Sequence, residues 1–176
     1  MTDAAEPAVA ARVRTLISDA VIALRSGAAR DEALAEFVPE RRVLGLPRAA
    51  RMTAVGRVWR LGVLLLDADG RLYATGRVVR AERPARRSIT AEAVAEQRAL
   101  RAAAVKGGIA EGETADFDAR PIDLDALVRD GASGPLVVRD AEVLVRWNPA
   151  QPDALTPLDR YLADRVDLLV SPPGGT

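Results

Sequence analysis

The chain is 176 residues long, with no histidine, no cysteine, 25 basic and 25 acidic side chains and a hydrophobic fraction of 49%. That inventory excludes imidazole general bases, thiol nucleophiles, disulfides and the ligands zinc and copper prefer, while leaving enough apolar residues for a core without staples. The neutral total hides an uneven distribution: net −3 over residues 1–40, +9 over 41–87 and −6 over 88–176, with 24 of the basic residues arginine and Lys106 the single lysine.

Val13, Leu16, Ile17, Ala20, Val21 and Leu24 recur at helical spacing. They predict one amphipathic helix over about residues 7–26, with Pro7 in its first turn and Gly27 as its stop. A short second helix is predicted over about 30–38, with Leu34, Phe37 and Val38 inward and Pro39 closing it. Arg41–Pro47 reads as a short extended segment. Two strands, 58–66 and 71–80, flank Asp67-Ala68-Asp69-Gly70 as a hairpin. The nearly unbroken apolar run Leu61–Leu66 predicts a strand covered on both faces, with Leu64 fully buried.

Pro84 ends the second strand, and Thr90 is placed to cap an alanine-rich helix over 91–106 that stops at Gly107-Gly108. A strand over 113–119 follows, with Asp116 and Asp118 on one face and Phe117 on the other. Asp123 is placed to cap a short helix ending at Gly131. Leu136-Val137-Val138 and Val143–Trp147 form a second hairpin about Asp140-Ala141. Thr156-Pro157-Leu158-Asp159 reads as a helix start, with Leu158, Leu162, Val166 and Leu169 on the buried face. The expected fold is therefore α+β. It is a single domain over 1–176, with a helical segment (1–40), sheet and helices (41–170) and a loose tail (171–176). Its sheet is mainly antiparallel, of four to six strands with two hairpins.

Chemistry-bearing motifs are few. Gly107–Thr114 looks like the opening of the Nudix hydrolase signature, but the acidic helix that would hold magnesium does not follow, and Pro121 argues against one. Glu111, Glu113, Asp116, Asp118, Asp123 and Asp125 form an acidic stretch whose oxygens suit hard cations, but which reads first as a solvated, charged edge strand. No metal site and no cofactor are assigned. There is no Gly-x-Ser-x-Gly elbow, no Ser-His-Asp set and no Ser-x-x-Lys, since Ala103 stands three residues before Lys106. Ser133, between glycines in Gly131-Ala132-Ser133-Gly134-Pro135, is the serine with the most approachable surroundings.

From about residue 41 the chain resembles a poorly characterised family of small actinobacterial proteins. The resemblance rests on Arg42–Arg48, Trp59–Leu65, Ala74-Thr75-Gly76, Val79-Arg80-Ala81, Lys106-Gly107-Gly108, Ser133–Leu136, Val145-Arg146-Trp147 and Pro157–Leu162. Some members carry the label glutaminase. Serine glutaminases of the beta-lactamase-like type need Ser-x-x-Lys, and glutamine amidotransferases need cysteine and histidine. With neither present, the resemblance implies a shared fold and carries over no catalytic residue.

The reading that follows is a non-catalytic cytoplasmic protein that binds an unknown protein or small anionic ligand and no membrane. Trp59, Arg60, Arg80, Ser133 and Trp147 are candidates for a site near the hairpins. One alternative is an amide hydrolase using Ser133, or carboxylates with a divalent metal. Another is anion or nucleic-acid binding through Arg77, Arg80, Arg83, Arg86 and Arg87. An isoelectric point of 6.4 and sparse aromatics argue against nucleic acid.

Overall fold

A computed structural model describes residues 5–43, 46–83, 92–148, 150–151 and 153–172. The fold is α+β with mainly antiparallel pairing and both expected hairpins. Contacts gather the chain into two compact units. Unit 1 comprises Met1–Asp31, Trp59–Ala74 and Arg120–Thr176; unit 2 comprises Glu32–Val58 and Thr75–Ala119.

Unit 1 opens with α1 (Ala5–Ser26), whose buried side chains Val9, Val13, Ile17, Val21 and Leu24 are the face the helical period defines. Strands β5 (Leu64–Asp67) and β6 (Leu72–Ala74) form the first hairpin, and β9 (Arg120–Pro121) pairs with β6. The turn is closed by the Asp67 carboxylate, which accepts the amides of Asp69 and Arg71, and by Gly70 at φ +80°. Leu64, Leu65 and Leu66 are fully buried.

Helix α3 (Leu124–Asp130) has Asp123 as its N-cap, with the carboxylate accepting the amides of Asp125 and Ala126, and Gly131 closing it in the left-handed region. Strands β10 (Ala132–Ser133), β11 (Leu136–Arg139), β12 (Glu142–Arg146) and β13 (Leu155–Pro157) form a second antiparallel sheet in chain order. The β11–β12 turn places Asp140 and Ala141 both at positive φ, as the twist of a two-residue hairpin demands. Helix α4 (Leu158–Val170) follows and lays Leu158, Tyr161 and Leu162 into the core of this unit.

Unit 2 holds β1 (Glu32–Val38), the hairpin β2 (Arg41–Val43) and β3 (Leu46–Arg48), and β4 (Arg51–Leu61), which belongs to this unit as far as Val58. It also holds β7 (Arg77–Arg80), α2 (Glu92–Lys106) and β8 (Thr114–Phe117). Its sheet runs β7-β8-β1-β4, with β1 and β8 parallel and the other pairs antiparallel. Met52, Val79, Leu100, Ala103, Ala104, Ala115 and Phe117 fill its core. The alanine face of α2 allows close approach, and at its end Gly107 lies so near β4 that a Cβ there would overlap the Met52 carbonyl oxygen.

Several expectations change. Residues 32–38 are strand rather than helix, since Ala33 and Ala35 alternate into the core while β1 pairs on one side with β4 and on the other with β8. Pairing on both edges outweighs the local helical preference of Glu-Ala-Leu-Ala-Glu. The run 58–66 is two strands, broken where Gly62 turns at φ +69°. The run 71–80 is likewise broken, because Gly76 lies so close to Asp118 that a Cβ would overlap its backbone.

Strand β8 lies between β7 and β1, so Asp116 is 1% exposed rather than on a solvated charged face. Thr156 pairs with Val145 instead of capping α4, whose N-cap position is Pro157 with no side-chain bond. Thr90 and Pro84 lie outside the described residues.

Candidate anion site

Residues 41–66 contain six arginines and no acidic residue. The fold of unit 2 concentrates part of this block. Arg41 on β2 stands directly opposite Arg48 on β3, and Arg51 opens β4 opposite Val38. These three arginines, with Val38, Pro39 and Ala49, line a cavity of about 170 Å³. All three are exposed, and among the described residues none has an ion pair.

Like charges set face to face across a two-stranded ribbon destabilise it. The wall beside them, Val38, Pro39 and Ala49, offers no side-chain acceptor. An oxyanion between the guanidiniums would relieve the repulsion and accept charge-assisted hydrogen bonds.

The arginines singled out from sequence stand differently. Arg77 lies 2.9 Å from Glu96 and carries its guanidinium 5.1 Å from the Phe117 ring centre. Arg83 is 3.2 Å from Glu111, and Arg57 is paired with Glu113. Arg80 is exposed on β7 opposite Thr114. Arg86 and Arg87 lie outside the described residues. Glu111 and Glu113 of the acidic stretch are thus partners for arginine, and Asp123 is a helix cap.

In unit 1, Trp59 is a core residue whose indole N–H donates to the Ala29 carbonyl at 3.0 Å. Arg60 is half-buried at the end of β4, and Trp147 is 43% exposed just after β12. The Ser133 hydroxyl accepts the Asp123 amide at 3.0 Å, tying β10 to the start of α3. Tyr73 donates to Asp67 at 3.2 Å; burial first, then the Asp67 charge, raises its phenol above the ordinary value near 10.0. It therefore stays protonated near neutrality and serves as a donor.

No local motif singles out Arg41, Arg48 and Arg51. The signal for them was the acid-free stretch itself, since arginines with no carboxylate nearby in sequence must find partners at long range or go without. Comparison with protein families, with curated proteins and with solved structures finds no match for the chain.

Proposed function

We propose that this protein is a binding protein that recognises an anionic ligand or partner through the arginine cleft of unit 2. The observation that carries the reading is the contrast within that unit. Arg57, Arg77, Arg83 and Arg101 are paired with glutamates, whereas Arg41, Arg48 and Arg51 share a cavity and, among the described residues, have no ion-pair partner. Binding by these groups is electrostatic and therefore weakens with salt. No acid–base or nucleophilic step is needed for it, which suits a chain without histidine or cysteine.

The test is fluorescence anisotropy with a labelled heparin oligosaccharide, a generic polyanion, at about 50 and 200 mM salt, the range over which such contacts lose strength. Arg41→Ala/Arg48→Ala/Arg51→Ala should weaken binding by at least about tenfold at the lower salt, the equivalent of about 1.4 kcal/mol. Arg77→Ala/Arg83→Ala should change it far less, because those arginines already have partners. Equal losses in the two variants, or binding indifferent to salt, would overturn the proposal.

A further inference from the structure

We infer that the Arg41–Arg48–Arg51 cleft selects a phosphoryl dianion, either free or as a monoester, over a phosphodiester. This rests on the anion-binding reading above and gives it a ligand class.

Size supplies the first argument. At about 170 Å³ the cavity is below the roughly 300–1,000 Å³ of sites that enclose whole drug-sized ligands. It admits a head group, and the remainder of any ligand stays outside.

Charge supplies the second. Three guanidiniums bring three positive charges and a surplus of N–H donors, each planar and suited to paired oxygens. A phosphoryl dianion presents three terminal oxygens and close to two negative charges. A phosphodiester presents two free oxygens and one charge, and its second ester arm must also fit within the small cavity.

Arg41 and Arg48 also stand opposed in register. The ribbon bears this repulsion in the absence of an anion, so removing one charge should stabilise the fold and weaken the ligand together. A purely structural pair of arginines would not couple those effects with that sign.

The titration behaviour is also defined. Arginine stays charged across the working range, and the chain has no histidine. The nearest carboxylates along the flanking strand and loop, Glu36 and Glu40, are exposed. A loss of binding on acidification that phenyl phosphate shows and dimethyl phosphate does not therefore reports the ligand's own second proton, which binds near pH 6 in a monoester.

The experiment is calorimetric titration of the full chain with phenyl phosphate, inorganic phosphate and dimethyl phosphate, paired with thermal melts. Phenyl phosphate should bind at pH 7.5 and weaken about tenfold by pH 5, where about a tenth remains dianionic. Dimethyl phosphate should bind at least about tenfold more weakly at pH 7.5, having only one charge to offer. Arg48→Gln should lower phenyl phosphate affinity while leaving the melting temperature equal or higher.

Equal affinity for phenyl and inorganic phosphate identifies the free ion as sufficient. Tighter phenyl phosphate identifies an organic monoester that also uses Val38 and Pro39. Both support the assignment. Equal binding of dimethyl phosphate, or unchanged affinity in Arg48→Gln, overturns it. Absence of phosphate binding with heparin binding intact overturns this inference alone, while absence of both removes the broader reading as well.

Discussion

The Tyr161 hydroxyl holds both sides of the turn at Gly62: it donates to the Leu61 carbonyl at 2.9 Å and accepts the Val63 amide at 2.9 Å. Gly62 sits at φ +69°, and a Cβ there would overlap that hydroxyl. Arg165 lies over the Tyr161 ring, 5.2 Å from its centre. One phenol from α4 thus fixes the reversal between β4 and β5. Tyr161→Phe removes the hydroxyl and leaves the Leu61 carbonyl and Val63 amide without that partner. Urea unfolding followed by tryptophan fluorescence should show a loss of about 1–3 kcal/mol. An unchanged midpoint would mean that the turn holds itself without α4.

Leu64, the first residue after this turn segment, is fully buried in the core of unit 1. Leu64→Ala should cost about 2–5 kcal/mol by the same assay. Leu168, 47% exposed on α4, is the control: Leu168→Ala should fall within about 0.5 kcal/mol of the parent. Similar costs at the two positions would contradict the assigned core.

Adjacent glycines at the end of α2 should respond very differently. Gly107 has no room for a side chain, because the Met52 carbonyl occupies the space. Gly108 faces open space but sits at φ +94°. Gly108→Ala should cost about 1–2 kcal/mol from backbone strain alone. Gly107→Ala should exceed it, since the carbonyl belongs to a paired strand that cannot yield without breaking its ladder. The reverse order in melting temperatures would contradict the close approach of α2 to β4.

Asp123 makes a prediction about acid. Its carboxylate accepts the Ala126 amide foremost and the Asp125 amide besides, and these bonds lower its pKa from the ordinary 3.8. A group whose folded pKa lies below its unfolded value contributes stability that is fully present above the unfolded pKa and lost as pH falls through the folded one. The contribution should therefore be intact from about pH 5 upward and fade below about pH 4. Asp123→Asn keeps a capping oxygen without the charge and should lose this acid-dependent part. Asp123→Ala should be less stable than Asp123→Asn at pH 7 in thermal melts. Identical acid limbs for the parent and Asp123→Asn would contradict the capping role.

Where the sequence carried the fold, it did so through local signals. The period of Val13, Ile17 and Leu24 defines α1, Asp123 and Gly131 bracket α3, and Asp140-Ala141 marks a hairpin that forms as expected. The failures share one cause, which is long-range pairing that no local pattern encodes. Glu32–Val38 becomes a strand because β4 and β8 lie beside it, and Thr156 joins β12 rather than capping a helix. The broken runs at Gly62 and Gly76 depend on neighbours about 100 and 40 residues away in sequence, Tyr161 and Asp118.

The anion site shows the same limit. Arginine abundance was visible, but which arginines meet carboxylates was not. Arg77 and Arg83 looked like a cluster and turn out to be paired with Glu96 and Glu111. Arg41 opens what reads as a plain extended segment ending at Pro47, and it stands opposed to Arg48, just past that segment, across a two-stranded ribbon.

The most direct measurement of the central claim is a side-chain NMR titration of arginine Nε–H resonances with the heparin oligosaccharide at low salt. The signals of Arg41, Arg48 and Arg51 should move together and saturate first, while those of Arg77 and Arg83 stay near their starting positions. Movement led by Arg77 and Arg83, or no movement at Arg41, Arg48 and Arg51, would contradict that claim.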